Sequence, residues 1–138
     1  MERKEFLQKT FALCGLSLLP IGILDSCSKQ SNAGPANVNF TLDLTNAANT
    51  SLNSVGGSLL VNGLIVIRAS VTSFDALSAT CTHAGCTVGY DAKSTTIVCP
   101  CHGGTFDPAT GAVISGPPPS ALLKYTVTQS GNILTIKS

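Results

Sequence analysis

Val38, Phe40, Leu42 and Leu44 alternate with Asn39, Thr41, Asp43 and Thr45. That two-residue period predicts a strand with one buried face. Gly56-Gly57 interrupts the chain ahead of Ser58-Leu59-Leu60-Val61, and Asn62-Gly63 joins that run to Leu64-Ile65-Val66-Ile67-Arg68. Asn-Gly between two apolar runs predicts a hairpin, because both residues tolerate the positive φ of a tight turn. Tyr125 and Val127 lie on one side of Ser130-Gly131-Asn132, with Ile133, Leu134 and Ile136 on the other, which predicts a second hairpin. No stretch from residue 27 onward sustains a helical period, and no segment repeats. Short strands separated by frequent turn residues predict an all-β fold, a small antiparallel β-sandwich or barrel.

The first residues follow a different pattern. Arg3, Lys4 and Lys9 precede an apolar stretch of 14 residues, Phe11 to Leu24, broken by Gly15, Pro20 and Gly22. This suits a secretory signal peptide and falls short of the roughly 20 residues of a membrane-spanning helix. A short buried helix and an uncleaved anchor are the alternatives; Pro20 and the shortness count against the anchor. Leu24-Asp25-Ser26-Cys27 resembles a bacterial lipobox, which implies cleavage before a lipidated Cys27. Arg3-Lys4-Glu5-Phe6-Leu7-Gln8-Lys9 resembles a twin-arginine export motif with Lys4 at the second arginine, so both export routes stay open. The expected organisation is a signal peptide over 1–26, a lipidated N-terminus and flexible polar tether over 27–37, and one domain over 38–138.

Composition narrows the function classes. A chain of 138 residues accommodates one domain. With 8 Lys+Arg against 7 Asp+Glu, no broad basic face is available and nucleic acid is excluded as a partner. At 43% hydrophobic and 11% charged residues, the chain is not of disordered composition. Removing residues 1–26 takes away three charges of each sign and leaves the net charge at +1.

Six cysteines in so short a chain call for an explanation. Cys14 and Cys27 belong to the N-terminal segment. The other four surround the only two histidines, in Cys81-Thr82-His83-Ala84-Gly85-Cys86 and Cys99-Pro100-Cys101-His102-Gly103-Gly104. Each box offers a thiolate and an imidazole at short spacing, C-x-H and C-x-x-H, with Cys81 and Cys99 18 residues apart. Ordinary disulfides with incidental histidines would leave both histidines beside cysteines by chance. Structural zinc accepts two Cys and two His, but its usual spacing is C-x₂₋₄-C followed by H-x₃₋₅-H. On spacing alone, zinc remains open.

The two boxes resemble those of the Rieske iron–sulfur family, C-T-H-x-G-C and C-P-C-H-G. The flanking runs Leu64–Arg68 and Phe74–Ala79, the pairs Phe106-Asp107 and Thr110-Gly111, and Gly116-Pro117-Pro118-Pro119 extend the resemblance over most of the domain. It implies one [2Fe–2S] cluster per chain, one iron held by Cys81 and Cys99 and the other by His83 and His102. It implies a cluster-binding subdomain inserted at about 79–119. It also implies a disulfide between Cys86 and Cys101, which fits an exported protein. With two neutral imidazoles replacing two thiolates, the oxidised centre is formally neutral and accepts an electron more readily than a four-cysteine centre. Gly103 and Gly104 would let the backbone approach the cluster, and Pro117 and Pro118 would limit its solvent access. High-potential members carry Ser and Tyr where this chain has Gly104 and Phe106. Neither can donate a hydrogen bond through its side chain, so the resemblance implies an intermediate potential.

The expected function is one-electron transfer, as an envelope carrier or the small subunit of a redox complex, with a redox partner protein. Membrane attachment would run through the lipidated N-terminus on the periplasmic or outer side of a bacterial envelope. The alternatives are the quinol-oxidising iron–sulfur subunit of a cytochrome bc-type complex and a zinc-stabilised binding domain. Nothing outside the two boxes pairs an acid with a base, so an enzyme acting alone is not expected.

Overall fold

The computed structural model describes residues 34–138. The expected signal peptide, Cys27 and the first part of the tether lie outside the described residues. Ten strands follow in order: β1 (Asn39–Asp43), β2 (Ser58–Val61), β3 (Leu64–Arg68), β4 (Phe74–Ser78), β5 (Gly89–Asp91), β6 (Thr96–Val98), β7 (Thr105–Phe106), β8 (Val113–Ser115), β9 (Lys124–Ser130) and β10 (Ile133–Lys137). They form an antiparallel six-stranded sheet, ordered β1-β10-β9-β4-β3-β2, and a four-stranded sheet, ordered β5-β6-β7-β8. The all-β expectation holds, and the small sheet is the inserted subdomain: the chain leaves the large sheet after β4 and returns at β9.

Both predicted hairpins form where the turn chemistry placed them. Asn62 and Gly63 take φ of 50° and 77°, the left-handed pair of a two-residue turn, and Val61 pairs with Leu64 across it. In the second hairpin Ser130 is the last residue of β9, paired with Ile133, so the turn proper is Gly131-Asn132.

Two apolar cores meet at β3. Leu64 and Val66 join Leu42, Leu52, Ala76, Leu134 and Ile136 inside the curled large sheet. Ile65 and Ile67 point the other way and join Leu77, Val88, Ile97, Phe106 and Leu122 between the two sheets. Successive residues of a strand face opposite sides, so a strand covered on both faces must be apolar at every position. That is the reason Leu64–Ile67 is an unbroken apolar run rather than an alternating one. Fully burying each such side chain stabilises the fold by about 1.5–3 kcal/mol.

The structure departs from the sequence reading at two places. A 3₁₀ helix over Ala47–Asn53 buries Leu52 beneath the sheet, with the Asn46 side chain capping the Ala48 N–H at 2.9 Å. Its polar sequence carries no helical period. The end of the expected tether, 34–37, is docked: the Tyr125 hydroxyl donates to the Pro35 carbonyl at 2.8 Å. A Cβ on Gly34 would lie 2.7 Å from Leu123 Cδ1 and 2.8 Å from the Tyr125 hydroxyl, so a larger residue there requires those side-chain ends to shift. Among the described residues no helix is long and apolar enough to cross a membrane.

Candidate metal centre

The two cysteine–histidine boxes fold as near copies of one loop. In the first, the Cys81 N–H donates to the Cys86 carbonyl at 2.8 Å, and the Gly85 N–H donates to the Cys81 carbonyl at 3.0 Å. In the second, the Cys99 N–H donates to the Gly104 carbonyl at 2.7 Å, and the Gly103 N–H donates to the Cys99 carbonyl at 3.0 Å. The fifth residue takes φ of 72° in one loop and 71° in the other, and it is glycine in both. This left-handed turn costs a residue with a Cβ about 1 kcal/mol or more. Nothing crowds Gly103, so its requirement is conformational.

Each loop starts in the core and carries its imidazole into solvent. Cys81 and Cys99 are 1% exposed and belong to the core between the sheets, whereas His83 and His102 are exposed. The loops thus present two sulfurs from the interior and two imidazoles from the surface. The imidazoles converge: their Nδ1 atoms lie 3.2 Å apart, with ring centroids at 4.7 Å and ring planes at 83°. Metal–imidazole bonds of about 2.0–2.1 Å on one tetrahedral ion separate two nitrogens by about 3.3 Å. The two Nδ1 atoms therefore suit a single shared ion. Burial pushes the Cys81 thiol up, and the neighbouring Cys99 thiol also raises it. Backbone N–H groups of His83 and Ala84 act the opposite way, so the first loop directs two donors at this sulfur and favours its thiolate form.

Cys86 and Cys101 are joined by a disulfide that ties the loops together, with 6.5 Å between their Cα atoms. Cys99 Sγ lies within 4.8 Å of both bridge sulfurs. Those two atoms are bonded to each other, so this trio is not a ligand set. Cys81 and Cys99 are the free thiols among the described residues.

The proline segment clasps both loops. A Cβ on Gly104 would stand 2.6 Å and 2.7 Å from Pro118 Cγ and Cδ, and one on Gly116 would stand 2.6 Å from Gly104 Cα. Gly104 is therefore small because the Pro118 ring rests on it. Pro118 is buried and Pro117 is exposed. On the other side, the Thr82 hydroxyl donates to the Ser120 carbonyl at 2.6 Å. Phe106 is fully buried in the core that includes Cys81 and Cys99, so it forms the floor of the site. Thr82 and Ser120 escaped the sequence reading because a hydroxyl-to-carbonyl bond across 38 residues leaves no local signal.

A family model described as the Rieske [2Fe-2S] domain matches residues 39–126. The chain is 38% identical over 90 residues to cytochrome b6-f complex iron-sulfur subunit 1 of Nostoc sp., covering 59% of this chain and 50% of the relative. It is 47% identical over 55 residues to the cytochrome b6-f complex iron-sulfur subunit of Chlorobaculum tepidum, covering 40% and 30%. The chain thus spans half the length or less of these curated relatives. Among solved structures, the plasma membrane Rieske protein of Synechocystis superposes with a TM-score of 0.58 at 27% identity, covering 72% of this chain and 99% of that one. The ferredoxin of carbazole 1,9a-dioxygenase from Nocardioides aromaticivorans gives 0.52 at 27% identity, covering 76% and 98%. The family model spans both cysteine–histidine loops and most of the strands that carry them, and it supplies what the loops alone leave open between zinc and iron: this chain belongs to the Rieske [2Fe-2S] domain family, whose cofactor is a [2Fe–2S] cluster.

Proposed function

We propose that this chain is a one-electron carrier of the bacterial cell envelope, anchored through a lipidated Cys27, with Cys81 and Cys99 holding one iron and His83 and His102 the other. The observation that carries this reading is the pair of matching loops, each with a buried sulfur and an exposed imidazole, whose Nδ1 atoms meet at 3.2 Å. When bound, the cluster supplies a one-electron couple, and its two histidine ligands raise the potential above that of four-cysteine centres.

The chain's own residues do the rest. The core around Cys81, Cys99 and Phe106 excludes water from the sulfur side. The exposed imidazoles bring the metal edge to the surface, where a partner can approach. With Nδ1 given to metal, each neutral imidazole carries its proton on Nε2, the outer ring nitrogen, and can donate it to an acceptor on the partner. The disulfide and the proline clasp hold both loops in register, which limits reorganisation when the charge changes.

Two measurements test the proposal. Voltammetry of the loaded protein should give a reversible couple with one-electron slope. Fractionation of cells should place the wild-type chain with membranes and Cys27→Ser in the soluble fraction or unprocessed, since several acyl chains anchor firmly at about 0.8 kcal/mol per buried CH₂. An unmodified Cys27 in the mature protein removes the anchoring claim.

A further inference from the structure

A cavity of about 430 Å³ lies where the small sheet meets β3 and β4 of the large one. Its walls include Ile67 and Asp75 from the large sheet, with Tyr90, Thr95, Asp107 and Ile114 from the small sheet and its turns. Thr95 belongs to the β5–β6 turn and Asp107 opens the β7–β8 turn, both at the end of the small sheet away from the cysteine–histidine loops. The volume falls in the range of small-molecule sites, about 300–1,000 Å³. Both carboxylates are half-buried. Asp75 Oδ1 pairs with the Lys124 ammonium at 3.2 Å, and Lys124 also donates to the Ala109 carbonyl. Asp107 Oδ1 accepts from the Ala109 N–H at 2.7 Å. Among the described residues, neither Oδ2 atom has a hydrogen-bond or ionic partner. The cavity thus sets two carboxylates against one ammonium. Asp91 and Lys93, on the β5–β6 turn outside the lining, carry opposite charges.

We propose that this cavity binds an organic monocation, a guanidinium or ammonium group on a short apolar stem, either as a free small molecule or as the end of a side chain from another protein. Charge sets the sign. Lys124 offsets one carboxylate and leaves the other uncompensated, whereas an anion would meet two carboxylates and an ammonium that is already engaged. The cation would donate to the Asp75 and Asp107 Oδ2 atoms, in charge-assisted bonds that strengthen where water is partly excluded. Tyr90 adds an aromatic surface of the kind that attracts cations. Ile67 and Ile114 supply apolar surface for the stem. A bare metal ion would leave those apolar walls unused.

Calorimetric titration of the cluster-loaded full chain with n-butylguanidinium is the test. Saturable binding is expected, with a Kd of about 1 mM or tighter. The neutral isostere n-butylurea should bind at least about tenfold more weakly, and butyrate should not bind. Asp107→Asn keeps an acceptor for the Ala109 N–H, removes the charge and should weaken binding at least about tenfold. Ile114→Lys changes a residue that is 55% exposed, so the fold tolerates it, and its own ammonium should weaken binding by a similar factor. Asp43→Asn, on β1 away from the cavity, makes the same change in net charge as Asp107→Asn and should leave binding unchanged. The peptide acetyl-Gly-Arg-Gly-amide separates the two sources. A Kd within about fivefold of that of n-butylguanidinium assigns the site to a protein side chain, and weaker binding than that assigns it to a free small molecule. No saturable binding of n-butylguanidinium up to about 10 mM overturns the proposal. So does n-butylurea bound as tightly as the cation, or wild-type affinity in both Asp107→Asn and Ile114→Lys.

Discussion

The Cys86–Cys101 bridge closes a loop with a sequence separation of 15, spanning the β5–β6 hairpin. Replacing both residues, Cys86→Ala with Cys101→Ala, avoids leaving a lone thiol beside Cys99. In the chain-entropy model a cross-link of this length removes about 10 cal/mol/K from the unfolded chain, or about 3 kcal/mol at 25 °C. With a urea slope of about 1.5 kcal/mol/M, the unfolding midpoint should fall by about 2 M. The chain has no Trp, so far-ultraviolet circular dichroism is the appropriate probe, with cluster absorbance recorded on the same sample. Cluster bleaching should precede loss of the β signal in the variant, because the bridge joins the two ligand loops and not the strands of the large sheet. A midpoint shift below about 0.3 M at unchanged slope, with equal cluster lifetimes, would refute the reasoning: the bridge would then restrain neither the unfolded chain nor the loops.

Other substitutions probe separate parts of the site. Gly104→Ala drives a methyl group into the Pro118 ring and should cost about 1–3 kcal/mol in thermal or urea unfolding, whereas a cost near zero would mean the proline clasp moves freely. Phe106→Tyr adds a hydroxyl in the core shared with Cys99; if it donates to sulfur at about 1 kcal/mol, the potential should rise by about 40 mV in voltammetry. The Asp43 carboxylate accepts from the Thr45 hydroxyl at 2.6 Å and from the Thr45 N–H at 2.8 Å, which hold it below the usual carboxylate range. A depressed folded pKa favours the folded state above the unfolded pKa, and this contribution is lost as pH falls through the folded value. Thr45→Val should move the Asp43 titration upward in an NMR pH series, closer to that of a free carboxyl.

Local chemistry was legible in the sequence, and long-range closure was not. Asn62-Gly63 and Gly131-Asn132 specify their turns with their own backbone preferences, so both hairpins could be read directly. The unbroken run Leu64–Ile67 reported a strand, and only the structure shows that its two faces serve two cores. The strands β5 to β8 have three residues or fewer, too short for any period to show. Pairing of β1 with β10 joins the two ends of the domain, and no local signal announces it. In the site, the candidate ligands stood out because four cysteines surround the only two histidines, whereas the pairing of Cys86 with Cys101 came from the resemblance of the two boxes to the Rieske family. The shared loop geometry also left a mark, a glycine four residues after Cys81 and another four after Cys99. The clasp was half visible. The prolines marked a rigid segment, but the reason for Gly104, the Pro118 ring against it, is a contact between loops.

The proposed function depends on the two loops holding a [2Fe–2S] cluster through two cysteines and two histidines. Chemical analysis of freshly purified native protein, followed by paramagnetic resonance of the reduced sample, tests it most directly. The expected result is two irons and two labile sulfides per chain and a Rieske-type signal, with the normal signal abolished in His83→Ala and in His102→Ala. A colourless protein with one zinc per chain, or a normal signal that survives either histidine substitution, would contradict it.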